Sequence, residues 1–329
     1  MKAIVYTKYG PPEVLQLLEV AKPELKEDQV LVAVQAASVN ALDYRRFEKL
    51  STLSRFTEER VLKTILQVLG ADIAGRVEAV GASVKQFRPG DDVFGVSARS
   101  IGGFAEYAPA AEIHLALKPS KISFEAAAAA PVAALTALQG LRDKGKIQPG
   151  QRVLIHGASG GVGQFAVQIA RSFGADVTAV CSTRNLEMAR SIGATHAIDY
   201  TKEDFTQNGQ RYDLIAGVNG YRPIMDYRRA LTPYGTYVAI GGSIPQVLEG
   251  MLLGPLLSRI GSKKMAFMGI AKTNQKDLVF IGELLEAGKI VPVIDRHYPL
   301  SEVAAAIRYL LEGHAQGKVV IAVAQDAKA

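Results

Sequence analysis

The sequence predicts an α/β protein of two domains, the first β-rich and the second a parallel sheet covered by helices. Three observations carry this. The chain has 329 residues, twice the roughly 150 residues of a typical domain. Its first 120 residues are short apolar segments punctuated by glycines at 70, 75, 81, 90, 95, 102 and 103, the texture of a small barrel or sandwich. From about residue 121 strand-like and helix-like patterns alternate, which implies a parallel sheet with helices on its faces.

The elements follow in order. Met1 to Tyr6 and Val30 to Val39 are rich in β-branched residues, and Ile73 to Val80 alternates apolar with polar. Both patterns predict strands. The spacing of Val61, Leu62, Ile65 and Leu69 predicts a helix over 58–68. Ser123 precedes the alanine run 126–130 as a helix N-cap. Strands are predicted over 152–156, 176–181, 197–200, 212–218, 236–241 and 318–323. Helices are predicted over 164–173, 186–192, 224–231, 277–287 and 303–311. The second of these stops at Gly193, a C-cap residue.

Composition narrows the function classes. A chain 48% hydrophobic and 21% charged has globular values, which exclude disordered, collagen-like and coiled-coil proteins. A single cysteine, Cys181, excludes a disulfide framework and a cysteine-rich zinc site, and is expected to be a small buried hydrophobe. The net charge is +6, from 38 basic and 32 acidic residues. These are interspersed, without a run of five like charges, which argues for a small anionic ligand and against a nucleic-acid face. The longest apolar run, about 126–138, is broken by Pro131 and falls short of the ~20 residues that span a membrane. The N-terminus lacks a signal-peptide apolar region. We expect a cytoplasmic protein that does not enter the membrane.

One motif carries chemistry. Arg152 to His156 leads through Gly157 into Ala158-Ser159-Gly160-Gly161-Val162-Gly163 and then an amphipathic helix. This is GxGxxG with alanine first, in the strand–turn–helix context that gives the motif meaning. Such a turn lets the backbone approach a pyrophosphate, and the helix N-terminus offers unpaired N–H groups and about half a positive charge. The next strand runs into Ser182-Thr183-Arg184-Asn185, with no acid between Val177 and Leu186. A carboxylate there would favour a ribose 2′-hydroxyl. Its absence, with Arg184 and the hydroxyls of Ser182 and Thr183, favours a 2′-phosphate and therefore NADPH.

With these motifs in view, the chain resembles the medium-chain dehydrogenase/reductase family, in its zinc-free quinone oxidoreductase branch. The resemblance runs through Gly10-Pro11-Pro12-Glu13-Val14-Leu15, Ser38-Val39-Asn40-Ala41-Leu42-Asp43, Gly70-Ala71-Asp72-Ile73-Ala74-Gly75, Gly90-Asp91-Asp92-Val93-Phe94-Gly95 and the stretch 150–168. It implies a GroES-like β-rich catalytic domain over 1–122, a doubly wound Rossmann domain over 123–266, and a return to the first domain over 267–329. It also implies an active site in a cleft between the domains. At the places where zinc-dependent relatives carry metal ligands, this chain has Asn40, Ala71 and a residue near Val132, which are not strong zinc ligands. No metal is expected. Without a Lewis acid to stabilise an alkoxide, the easier reaction is hydride transfer from NADPH to a small hydrophobic quinone or α,β-unsaturated carbonyl, whose developing charge delocalises.

Site residues follow from the resemblance by position. Asn40 is expected to hydrogen-bond the substrate carbonyl or the cofactor ribose. Tyr44 is a candidate proton donor or an aromatic wall, displaced by one residue from the usual tyrosine. Thr136, Val218, Ile240, Gly241 and Gly242 are expected near the nicotinamide, Tyr200 near the adenine, and Lys318 at the cofactor. The segment 247–268 departs from a plain Rossmann pattern and is expected to be an apolar lid or a subunit contact of a homodimer. Two alternatives stay open, an enoyl-thioester reductase and a non-catalytic NADPH-binding sensor or scaffold with weak RNA binding.

Overall fold

The structure, a computed structural model, describes residues 1–45, 67–98, 102–242 and 244–323. In chain order the strands begin with β1 (Lys2–Tyr6), β2 (Gln16–Glu19), β3 (Gln29–Val39) and β4 (Gln67–Val68). Next come β5 (Asp72–Val80), β6 (Asp92–Val96), β7 (Tyr107–Ala111) and β8 (Leu115–Leu117). After these lie β9 (Arg152–His156), β10 (Asp176–Cys181), β11 (His196–Asp199), β12 (Tyr212–Gly217), β13 (Leu231–Ala239) and β14 (Lys264–Phe267). The last two are β15 (Ile294–Pro299) and β16 (Lys318–Ala322). Two compact units divide the chain, one of residues 1–132, 273–286 and 294–329, the other of 133–272 and 287–293.

The first unit holds a three-stranded sheet, β2-β1-β4, and a seven-stranded sheet ordered β15-β16-β3-β5-β6-β8, with β7 also on β3. The long β3 organises it. Eight of the eleven residues of β3 are buried, and Val32, Val34, Ile73, Phe104 and Val319 meet in one apolar core. Antiparallel pairing with β5 runs from Val30 opposite Val80 to Ser38 opposite Asp72, with two register shifts that bend the strand. On its other side Val39 faces Val319 of β16. Helix α1 (Ala41–Arg45) starts directly after β3. Helix α2 (Phe124–Ala128) is capped as expected, Ser123 Oγ accepting from the Ala126 amide at 3.2 Å.

Helix α3 (Pro131–Gln139) leads into the second unit. There six parallel strands lie in the order β11-β10-β9-β12-β13-β14, a doubly wound sheet whose direction of growth reverses between β9 and β12. Ligands bind such sheets at that reversal, beyond the carboxyl ends of the strands. Helix α4 (Gly161–Ser172) packs on β9 and β10 through a wholly buried face that includes Phe165, Val167 and Ile169. Helices α5 (Leu186–Ser191), α6 (Ile224–Ala230), α7 (Ile244–Leu252) and α8 (Gly254–Leu257) complete it. Back in the first unit lie α9 (Gln275–Glu286) and α10 (Val303–Leu311).

The structure departs from the sequence-based expectations in four places. The helix expected over 58–68 lies for the most part outside the described residues, and its end, Gln67–Val68, is instead a strand paired with β1. Strand β15 carried no sequence signal that we read. The segment 247–268 is not wholly lid or contact, because its last residues form β14, the sixth strand of the parallel sheet. The units also divide at 132 rather than 122, since the Val132 amide donates to Asp72 of β5. Residues 287–293 stay with the second unit because the Gln164 and Gln168 side chains bond the backbone of Val293 and Val291. Among the described residues no helix is long and apolar enough to cross a membrane.

Candidate functional site

At the carboxyl end of β9 the chain turns through Gly157, with φ +88°, into α4. A Cβ at Gly157 would lie 2.0 Å from the Asn219 carbonyl oxygen, and one at Gly163 would lie 2.0 Å from that of Gly157. Both close approaches require glycine; the first brings the turn against the loop after β12, the second brings α4 against the turn. Gly160 differs. A Cβ there would meet nothing nearer than the Gly157 carbonyl at 3.8 Å, so the chain itself does not fill the space beside it. Gly160 is the N-cap of α4 and supplies no side-chain cap, which leaves first-turn N–H groups for a ligand. An open cradle under an uncapped helix end fits a pyrophosphate.

The neighbouring carboxyl ends gather other expected residues. Val218 follows β12, its amide donating to the His156 carbonyl at 3.0 Å. Ile240 follows β13, its amide donating to the Gly217 carbonyl at 2.9 Å, and Gly241 and Gly242 come next. Thr136 is half-buried on α3. His156 is buried beside Tyr227, Nδ1 lying 2.7 Å from the tyrosine oxygen. Burial, and next the positive charge of Arg222, push its pKa down to about 4, so the imidazole is neutral at pH 7.

Beyond β10, Ser182, Thr183 and Arg184 form a short turn, and Tyr200, half exposed, follows β11. The structure adds a carboxylate here. Asp199, the last residue of β11, pairs in register with Cys181. It accepts from the Thr183 hydroxyl and, at 2.7 and 3.0 Å, from the Thr201 hydroxyl and amide. These bonds, the Thr183 hydroxyl first, pull its pKa down to about 2. Asp199 lies outside the window 177–186 where an acid was sought, and the signal was available: an acid ending an apolar strand next to the one that carries the turn. Burial, and next the Asp199 charge, push the Cys181 thiol up to about 11, so it stays protonated and unreactive at neutral pH.

In the first unit Asn40 and Lys318 meet over a buried carboxylate that the sequence reading did not single out. Asp72, fully buried, accepts from Ser38 Oγ at 2.7 Å, Asn40 Nδ2 at 2.8 Å and Lys318 Nζ at 3.3 Å. Its other oxygen accepts the Val132 amide at 2.8 Å. Lys318 Nζ also donates to Asn40 Oδ1 at 2.7 Å and the Val39 carbonyl at 3.3 Å. An ammonium only donates and a carboxylate only accepts, which fixes the Asn40 amide, oxygen toward Lys318 and nitrogen toward Asp72 and the Ser38 carbonyl. Both amide protons are engaged, leaving an oxygen lone pair to accept from a ligand. Asn40 thus suits a ribose hydroxyl better than a substrate carbonyl. Lys318 Nζ thus faces three acceptors within its own unit. Tyr44, one turn along α1, is half-buried against the core. Among the described residues no group of three or more His, Cys, Asp or Glu is placed to hold a metal.

Comparison with known proteins agrees with this architecture. Residues 26–120 match the model of the alcohol dehydrogenase GroES-like domain, and 192–321 that of the zinc-binding dehydrogenases. The tomato (Solanum lycopersicum) 2-methylene-furan-3-one reductase is 38% identical over 98% of this chain and 79% of its own. The NADPH-dependent alkenal/one oxidoreductase of Arabidopsis thaliana is 36% identical over the same shares. The solved quinone oxidoreductase of Coxiella burnetii superposes with a TM-score of 0.86 at 31% identity, covering 98% of this chain and 99% of that one. With a GroES-like unit, a Rossmann unit and relatives of this kind matched over 98% of this chain, the chain belongs to the medium-chain dehydrogenase/reductase family, in its quinone oxidoreductase branch.

Proposed function

We propose that the protein is an NADPH-dependent oxidoreductase that reduces quinones or α,β-unsaturated carbonyls without zinc. The observation that carries this is the open glycine cradle at the uncapped head of α4, joined by the cationic turn that holds Arg184. The names of the alkenal/one oxidoreductase and quinone oxidoreductase relatives supply the acceptor class. When bound, the nicotinamide supplies the hydride. The residues of the chain position and protonate. First-turn amides of α4 hold the pyrophosphate, and Ser182 and Arg184 take the 2′-phosphate. Asn40 accepts from a ribose hydroxyl, held by Asp72 and Lys318. Tyr44 delivers the proton that completes reduction. Asn40, Ala71 and the residues near Val132, where a metal would be needed, are poor zinc ligands.

The protein acts as a homodimer. Helices α7 and α8 expose Leu248, Met251, Leu252, Leu253 and Leu256 beside the sheet-end strand β14, an apolar patch that a second copy would cover.

The test is NADPH oxidation against a panel of quinones, enals, enones and an enoyl thioester, with NADH and a chelator as controls. Turnover that prefers NADPH and ignores chelator is expected. Tight NADPH binding with no turnover on any acceptor, or loss of activity with chelator, would overturn the assignment.

A further inference from the structure

The geometry points to Asp199 as the residue that sets the dinucleotide preference, by fixing the turn that receives the 2′-phosphate; this rests on the NADPH assignment above. The turn has no conventional brace. Ser182 is the N-cap of the single 3-10 turn Thr183–Asn185, and its side chain caps nothing. Side-chain ties hold the turn instead. Asn185 Nδ2 donates to Ser182 Oγ at 3.1 Å, and the Thr183 hydroxyl donates to Asp199.

The directions of these bonds matter. A carboxylate can only accept, so the Thr183 proton points at Asp199 and away from any ligand. Ser182 accepts from Asn185, which leaves its own proton for a phosphate oxygen. Asp199 also lies 3.7 Å from Lys202 Nζ, whose side chain is largely exposed. One carboxylate therefore anchors the threonine that opens the turn and gathers an ammonium beside it. The turn presents Ser182, Arg184 and, beside it, Lys202 as the groups whose chemistry suits an anion.

Asp199 does not itself oppose the anion. Its oxygens are occupied by the hydroxyls of Thr183 and Thr201 and the Thr201 amide, and the residue is 8% exposed. It differs from the acid that selects NADH, which ends the strand carrying the turn and reaches the ribose directly. Here the acid ends the adjacent strand and acts through Thr183. Asp199 is a positioning residue and Thr183 its lever, so Thr183 contributes through the turn rather than by touching phosphate.

The experiment uses the intact protein and calorimetric binding of two probes, 2′,5′-ADP and 5′-AMP, which differ only in the 2′-phosphate. Wild type is expected to prefer 2′,5′-ADP. Asp199→Asn keeps the size of the side chain and gives up one acceptor. It is expected to weaken 2′,5′-ADP by about tenfold, the effect of one hydrogen bond to a charged group, and to leave 5′-AMP within about twofold. Thr183→Val, at an exposed position, removes the tie and keeps the carboxylate. It should reproduce the loss, and Thr183→Ser should restore binding. A merely structural role would weaken both probes together. Equal effects on the two probes, no effect, or tighter 2′,5′-ADP binding by Asp199→Asn would overturn the role of Asp199. A wild type that binds the two probes equally would overturn the NADPH assignment itself.

Discussion

His156 makes the stability of the second unit depend on pH, and the size follows from its surroundings. Its imidazole is buried against Tyr227 and Phe205 and its pKa falls from 6.5 to about 4. The folded-state value is the lower one, so the unfolded chain takes up a proton first as pH falls. The stabilisation of the neutral ring is fully present above pH 6.5 and is lost as pH drops toward 4. A shift of this size corresponds to about 3 kcal/mol at 1.36 kcal/mol per unit, a large part of the 5–15 kcal/mol that stabilises typical domains. Urea unfolding followed by circular dichroism between pH 8 and pH 4 should show stability falling by up to about 1.4 kcal/mol per pH unit below pH 6. His156→Asn is expected to start less stable and to lack this component of the slope. Proton NMR supplies a direct check. The chain has five histidines, and one imidazole signal, absent from His156→Asn, should stay unshifted until pH approaches 4. Five histidines titrating together near pH 6.5, or identical slopes in the two proteins, would refute the reasoning.

Four further outcomes are expected. Gly163→Ala places a methyl against the Gly157 carbonyl and should destabilise the second unit by about 1–3 kcal/mol and weaken dinucleotide binding at least tenfold, read by thermal unfolding and titration; wild-type affinity would show the close approach is dispensable. Arg184→Ala should raise the KM for NADPH much more than that for NADH, and equal effects would remove Arg184 from phosphate recognition. Lys318→Met leaves Asp72 buried without its cation and should cost about 3–5 kcal/mol; the double variant Asp72→Asn/Lys318→Met should recover part of that in a denaturant titration, and no recovery would mean the two are not coupled. Tyr44→Phe should lower kcat about 100-fold with the KM for NADPH unchanged if the phenol is the general acid, and unchanged kcat would exclude it.

Much of the second unit was legible because its signals are local. Val153 to Ile155 is an unbroken apolar run at the heart of β9, Gly193 ends its helix where the pattern stops, and Gly157 and Gly163 mark close approaches that only glycine allows. The first unit was harder because its pairings are distant. Strand β15 carries Asp295, Arg296 and His297 in an alternation too polar to read, and exists because β16 pairs with it. Strand β14 is four residues inside an apolar stretch, which periodicity cannot distinguish from a lid. In the candidate site, the glycine turn is legible from its backbone motif, but contacts made through a neighbouring side chain are not. Asp72 looks like one polar residue in a β-strand, and its role shows only when β3, β5 and β16 bring Ser38, Asn40 and Lys318 onto it. Asp199 stands 16 residues from Thr183 in sequence, yet the two share a hydrogen bond.

The pairing of β16 with β3 places Val319 opposite Val39, and that fixes a timetable for the nascent chain. At roughly 5–20 residues per second, the partner of β3 is made tens of seconds after β3 itself. By then everything the second unit needs, through Val293, has already been synthesised. The domain synthesised in the middle of the chain is thus the first able to close. The one begun earliest waits with the β16 side of β3 unpaired, an open strand edge, until residues 318–322 are made.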